Sequence, residues 1–151
     1  APGDVDNDGD LDFYATNIWN YNHPGEHNPL FVNQTVGNTI LFSDVAQGSP
    51  IANTDWGWGA AFIDFDRDGD LDLAATNGFS EPAYAQDQSR FFRNDGFPAG
   101  GFVDVSAAVG FDDTLWGSAL AVVDLDRDGR PDLVHATKQH PDVGPLRLMM
   151  N

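Results

Sequence analysis

The chain contains no cysteine, so no disulfide can staple it, and support beyond packing has to come from metal ions or partners. Basic residues are scarce: 7 Lys and Arg stand against 24 Asp and Glu, for a formal charge of −17. Such a surface repels phosphate backbones and anionic headgroups, which argues against nucleic acid as a partner and points to cations. No apolar run approaches the roughly 20 residues that cross a bilayer, so no membrane insertion is expected. Residue 1 opens without a basic, apolar leader segment. No apolar pattern of helical period persists for three turns, so helix should be minor. There is also no Gly-framed serine, no cysteine nucleophile beside a histidine and no Gly loop fit to cradle phosphate, so no enzymatic activity is expected.

What the chain does have is length for one domain and a clustered charge. Its 151 residues, 41% of them hydrophobic, suffice for a single globular core. The acids concentrate in three runs, "DVDNDGDLD" at 4 to 12, "DFDRDGDLD" at 64 to 72 and "DLDRDGRPD" at 124 to 132, which hold 14 of the 24. The runs recur at a 60-residue offset and bring their surroundings with them. "WGWGAAFIDFDRDGDLDLAATNG" from Trp56 aligns in residue class with "WGSALAVVDLDRDGRPDLVHATK" from Trp116, and "LFSDVAQG" from Leu41 with "GFVDVSAA" from Gly101. A shorter echo is "LFVN" at 30 to 33, "FFRN" at 91 to 94 and "LMMN" at 148 to 151. The chain therefore reads as about two and a half copies of one unit. We divide its single repeat domain, 1–151, into a partial blade plus the start of the next at 1–57, a complete repeat at 58–117 and a partial repeat at 118–151.

Within a unit the apolar runs are short, rich in Val, Ile, Phe and Ala, and bounded by Gly, Pro, Asn and Asp, as strands are. In the middle unit four strands are expected near 59–64, 71–77, 90–94 and 102–105, with the acidic run as the hairpin between the first two. Four-stranded units repeating in an all-β chain predict β-propeller-type blades or a related β array.

The acidic runs have a metal-binding logic. Asp at positions 1, 3 and 5 followed by Gly at 6 is the front half of a calcium loop: alternate side chains converge on one point and Gly permits the tight turn. This assigns Asp4, Asp6 and Asp8, then Asp64, Asp66 and Asp68, then Asp124, Asp126 and Asp128 as side-chain ligands. Position 7 gives its backbone carbonyl, so Asp10, Asp70 and Arg130 are interchangeable there. A further carboxylate at position 9, Asp12, Asp72 or Asp132, closes the shell. Calcium takes about 6 to 8 oxygens and suits this donor set better than magnesium, which retains more water. Up to three Ca2+ ions are expected, and three would reduce the formal charge from −17 to −11. Without a cation, five Asp in nine residues repel one another, which counts against plain acidic turns.

The strands that follow the loops, "LDLAATN" and "PDLVHAT", exclude the helix that an EF-hand or dockerin requires. With "RFFRNDG" and "GFVDVSAAVG" they resemble the FG-GAP or VCBS-type repeat of integrin α-chain propellers and of the ASPIC/UnbV-like group. The resemblance covers nearly the whole chain. It implies a propeller, usually seven-bladed, with calcium loops in blade hairpins and an extracellular or cell-surface setting. The chain departs from that pattern in size: at about 60 residues per blade, four blades need roughly 240 residues. The ring is incomplete, the strand before the first loop and the last strand of the final blade are expected to be missing, and open sheet edges invite strand addition. Either the chain is a piece of a longer protein, or copies of it complete one another's blades, and head-to-tail copies would form a ring or a filament.

Other candidates are weaker. His23, Glu26 and His27 in "HPGEH" form a candidate transition-metal set, but the Pro-Gly pair breaks the helix that would align the histidines, which favours a solvated loop. His135 is read as a packed strand residue and His140 as a turn residue. Trp56, Trp58 and Trp116 recur with the repeat and are read as packing between blades. Trp19, Tyr14 and Tyr21 do not recur, and loop packing is favoured there over a sugar platform. Asn33 in "NQT" is a candidate glycosylation site. The function expected is adhesion, ligand binding or assembly, with calcium structural. The partner is a protein or glycan held by the loops at 18–29 and 78–89, or a second copy of the chain.

Overall fold

The computed structural model describes residues 1–18, 26–80, 82–138 and 143–151, Val143 by its backbone alone. Among them the chain forms three antiparallel sheets. The first comprises β1 (Pro2–Gly3), β2 (Asp12–Tyr14), β3 (Leu30–Asn33) and β4 (Phe42–Asp44) in sequential order. The second repeats that order with β5 (Gly57–Ile63), β6 (Asp72–Asn77), β7 (Arg90–Asn94) and β8 (Phe102–Asp104). The third holds β9 (Trp116–Val123), β10 (Asp132–Lys138) and β11 (Val143–Met149). Among the described residues helix is confined to a 3-10 turn at Pro50–Ala52 and one short α-helix, α1, at Ser106–Val109. The four strands expected in the middle unit are present. The first starts two residues early, because Gly57 still pairs with Asn77 across a register irregularity.

One expectation is corrected. The strand before the first acidic loop is short but present: Pro2 and Gly3 pair with Phe13 and Asp12. The Ala1 ammonium extends the pairing by donating to the Tyr14 carbonyl at 2.6 Å, and the Tyr14 amide returns a bond to the Ala1 carbonyl at 2.8 Å.

Alternation along each strand sends neighbouring side chains to opposite faces, and a blade between two others must bury both. β6 does so over its whole length, with all six residues buried. Leu73 joins Val5, Tyr14, Leu30, Ile51 and Phe92 in a core between the first and second sheets. Ala74 joins Ile63, Phe91, Phe111 and Leu133 in a second core between the second and third. Close approach of the sheets requires glycine where the innermost strands begin. A Cβ on Gly117 would lie 2.3 Å from the Thr76 Cβ and 2.6 Å from the His135 Nε2. The equivalent Gly57 meets Thr16 of the preceding sheet in the same way, at 2.9 Å.

Candidate metal loops and the opposite end of the blades

The three acidic runs fold into one conformation. The residue at position 4 is left-handed in each, at φ 58° for Asn7, 66° for Arg67 and 64° for Arg127, and so is the Gly at position 6, as Gly69 at 98° shows. Two successive residues with positive φ separated by one turn the chain inward, so that alternate carboxylates face a common point. The position-5 carboxylate is held at 2.9 Å by the amide of position 7 in every loop: Asp8 by Asp10, Asp68 by Asp70 and Asp128 by Arg130. Position 1 accepts amides from within the loop in the first and third, as in Gly9 to Asp4 and Gly129 to Asp124, both at 3.0 Å.

The structure gathers carboxylate oxygens within 4.8 Å of one another in each loop. In the first these belong to Asp4, Asp6 and Asp8 and in the second to Asp64, Asp66 and Asp68. In the third the set is Asp124, Asp126 and Asp132, and Asp128 is outside it. The cause lies in the sequence difference at position 7: the Arg130 guanidinium grips Asp128, with Nε donating to Oδ2 at 2.6 Å. That bond also holds the Asp128 carboxyl below the usual carboxylate range.

The donor set fits a hard cation. Asp6 Oδ1 and Asp64 Oδ1 are buried and have no hydrogen-bond partner. Burial first, then the neighbouring carboxylates Asp12 and Asp8, pushes the Asp6 carboxyl above its ordinary range. Asp66 is raised for the same reasons, burial and then Asp68. Converged, partly desolvated carboxylates disfavour their own charge, and a bound divalent ion removes that cost.

The position-9 aspartates have a structural role that composition and spacing do not reveal, and of the three only Asp132 belongs to the gathered carboxylates of its loop. Asp12, Asp72 and Asp132 are 0%, 1% and 1% exposed. Each accepts one amide from position 2 of its own loop and one from an Asn that ends the third strand of its sheet or, for Asp132, lies two residues beyond it. Asp12 accepts from Val5 and Asn33, both at 2.8 Å, and Asp72 from Phe65 at 3.0 Å and Asn94 at 2.9 Å. Asp132 accepts from Leu125 at 2.8 Å and Asn151 at 3.0 Å. Carboxylate oxygens have two lone pairs each, so this role leaves capacity for an ion. Burial raises the Asp72 carboxyl to about 6 despite those two amides.

The recurrent Asn at the strand ends couples one loop to the next sheet. Asn94 Nδ2 donates to the Val5 carbonyl of the first loop at 3.2 Å, and Asn151 Nδ2 to the Phe65 carbonyl of the second at 2.7 Å. Asn7 Nδ2 adds a bond to Asp70 Oδ1 at 2.7 Å. Asn33, the sequon residue, occupies the same position in the first sheet: its Nδ2 donates to the Leu11 carbonyl at 3.3 Å and its Oδ1 accepts the Thr35 amide at 3.0 Å.

At the opposite end of the blades, His27 pairs with Asp44 at 2.6 Å. His23, Trp19, Tyr21 and His140 lie outside the described residues. Tyr14 is a core residue whose hydroxyl donates to the Ile51 carbonyl at 2.7 Å. His135 is buried in β10 against Phe111, with ring centroids 5.2 Å apart. Trp56 stacks on Phe79 at 4.7 Å with the rings 5° from parallel and packs against Tyr84. Trp58 is 43% exposed, and its indole N–H is fixed by the Gly78 carbonyl at 2.7 Å.

Together these features define an all-β protein built from propeller-type blades, each hairpin between first and second strands carrying an acidic loop. A family model described as FG-GAP-like repeat matches residues 3–75 and 82–135, and the chain belongs to that family. No curated protein matches the chain in sequence. Among the described residues no helix is long and apolar enough to cross a membrane.

Proposed function

We propose that the chain is a calcium-stabilised, extracellular repeat module that acts by binding a protein or glycan, with no catalytic role. The observation that carries the reading is the convergence of carboxylates in all three loops together with the unpartnered, buried oxygens of Asp6 and Asp64. Up to three Ca2+ ions would be held by Asp4, Asp6 and Asp8, by Asp64, Asp66 and Asp68, and by Asp124, Asp126 and Asp132. The carbonyls at position 7 and the buried carboxylates at position 9 are the remaining protein donors. The ions would be structural: each neutralises a carboxylate cluster, and the first and second of these hairpins are tied to the next sheet through Asn94 and Asn151. Isothermal titration of the chelated chain with Ca2+ and with Mg2+ tests this, and heatless injections of Ca2+ at millimolar concentration would refute it.

A second reading, assembly from copies of the chain, is favoured by one observation. The third sheet has three strands, and beside its edge strand β11 the side chains of Leu146, Leu148 and Met150 are 63%, 54% and 49% exposed. An open edge lined by apolar side chains is suited to adding a strand. Sedimentation velocity in millimolar calcium and after chelation separates the two: calcium-dependent oligomers favour assembly, and a monomer that only expands on chelation favours the binding module.

A further inference from the structure

The end of the blades away from the acidic loops carries a pocket of about 280 Å3 between the second and third sheets. Its walls are aromatic and come from four segments: Trp58 at the start of β5, Phe79 after β6, Trp116 at the start of β9, and Lys138 at the end of β10. The rings are held in place. Trp58 is anchored through its indole N–H, Phe79 is backed by the stacked Trp56, and Phe79 lies 6.2 Å from Trp58 and 6.4 Å from Trp116 between ring centroids. Gly78 keeps the floor open, since a Cβ there would sit 3.0 Å from the Trp116 Cδ1. A rigid, mostly apolar cleft with few convergent polar groups is what small-ligand sites share.

The polar groups define the ligand. Among the described residues the side-chain polar atoms on the lining, apart from the anchored Trp58 indole and that of Trp116, are the Ser80 and Ser118 hydroxyls and the Lys138 ammonium. Ser118 already donates to the Ala136 carbonyl at 3.2 Å. A sugar ring would surrender water from several hydroxyls and find too few partners, at a cost of about 1–3 kcal/mol for each one left unsatisfied. An aromatic ring has none to satisfy and gains from stacking on ring faces. Lys138 is the complement: in a chain of formal charge −17, it has no carboxylate partner among the described residues.

We propose that this pocket binds an aryl group tethered by a short chain to a carboxylate, either as a free acid or as the aromatic C-terminal residue of a peptide. The ring stacks among Trp58, Phe79 and Trp116, and the carboxylate meets Lys138. The inference rests on the reading of the chain as a binding module and names the chemistry of what it binds.

The test uses the full chain in millimolar calcium, with 3-phenylpropionate as the probe and 3-phenylpropan-1-ol as its neutral counterpart, followed by tryptophan fluorescence and by calorimetry. The acid is expected to bind saturably and about tenfold or more tighter than the alcohol, the difference one charge-assisted hydrogen bond makes. Lys138→Gln should erase that preference, and Trp58→Ala should weaken both probes. Peptides ending in Gly-Gly-Phe, with free and amidated C termini, separate the sources: selective binding of the free terminus assigns a peptide end, and binding of the small acid alone assigns a free metabolite. No saturable binding of the acid, equal binding of acid and alcohol, or an undiminished preference in Lys138→Gln overturns the proposal. Thermal melting of each variant with calcium and with chelator is recorded in the same samples. A chain whose melting ignores calcium removes the metal reading and leaves the pocket result standing on its own.

Discussion

The middle and third acidic loops have the same backbone and different clusters. Arg67 and Arg127 sit at φ 66° and 64°, Gly69 and Gly129 at 98° and 85°, and the amide from position 7 to the position-5 carboxylate measures 2.9 Å in both. Asp70 in one loop is Arg130 in the other, and that single side chain withdraws Asp128 from the cluster and leaves Asp132 in its place. Backbone conformation, set by Gly and the Asx-like bonds, is therefore separable from which carboxylates are aimed at the centre. The repeat preserves the first, and the second changes in the third loop, which gathers three carboxylates like the others but draws one of them from position 9.

The largest effect expected is that of calcium itself. At a hundredfold excess over its dissociation constant, each ion bound only to the folded chain adds about 2.7 kcal/mol. Three sites would add about 8 kcal/mol, or roughly 16–30 °C of melting temperature for a domain of this size. Differential scanning calorimetry with calcium and with chelator measures it. Asp66→Ala should remove a larger share of the calcium-dependent gain than Asp128→Ala, because Asp66 is in its cluster and Asp128 is outside its own. Equal losses would break the distinction between the loops.

Next in size is the position-9 carboxylate. Asp72→Ala leaves the partly buried Phe65 amide and the buried Asn94 amide without their acceptor, and a buried donor so stranded costs about 1–3 kcal/mol. The variant should melt lower even in chelator, where loss of an ion cannot be the reason. Asp132→Ala should cost less, since the Asn151 amide it releases is only partly buried. A chelated Asp72→Ala that melts like the parent would return Asp72 to a purely ligating role.

Much of this architecture is visible in the sequence because it depends on short-range chemistry. The loops follow from Asp spacing and Gly placement, and the strands from brief β-branched and aromatic runs between turn residues. What was not visible is long-range. Asn94 was legible as the end of "FFRN" but not as a tie to Val5, 89 residues away. Nothing in the spacing told that Asp12, Asp72 and Asp132 would be buried under two amides each, although the coincidence of a ninth-position Asp with an Asn-ended strand in all three units was the available signal. The aromatic pocket escaped for the same reason: its walls come from two repeats, and a repeated Trp reads equally well as packing.

A smaller effect should follow from Arg130→Asp, which gives the third loop the position-7 residue of the other two. With the guanidinium gone, Asp128 is free to turn toward Asp124 and Asp126, and the loop acquires the donor set of the middle one. The calcium titration should then show the weakest site moving toward the midpoint of the strongest. The change should leave the chelated melting temperature nearly untouched, because the Arg130–Asp128 pair is solvent-exposed and such pairs contribute little. A third site unchanged by the substitution would mean that Pro131, not Arg130, sets the difference.

The smallest effect separates the cores rather than the loops. His135, on β10, is buried in contact with Phe111, and the charged groups facing it are Asp113, 3.6 Å from Nδ1, and Arg147, whose Nη1 donates to Asp113 at 2.5 Å. Burial lowers the imidazole below its ordinary value, with Asp113 opposing and Arg147 assisting. The unfolded imidazole takes its proton near pH 6.5, so below that the unfolded chain holds more protons than the folded one. Stability from this site is complete above about pH 6.5 and is lost as the pH falls through the lower folded value. Asp72 has the opposite sign in chelator: its folded carboxyl is raised to about 6, so its contribution is present below about pH 4 and lost as the pH rises through 6. Comparing parent and His135→Gln by chemical denaturation between about pH 7.5 and 5.5 isolates the histidine, since Asp72 is common to both. The parent should lose more stability than the variant on acidification. Parallel curves would place the imidazole in contact with water in the folded state, and the second core would then be wetter than its packing against Phe111 implies.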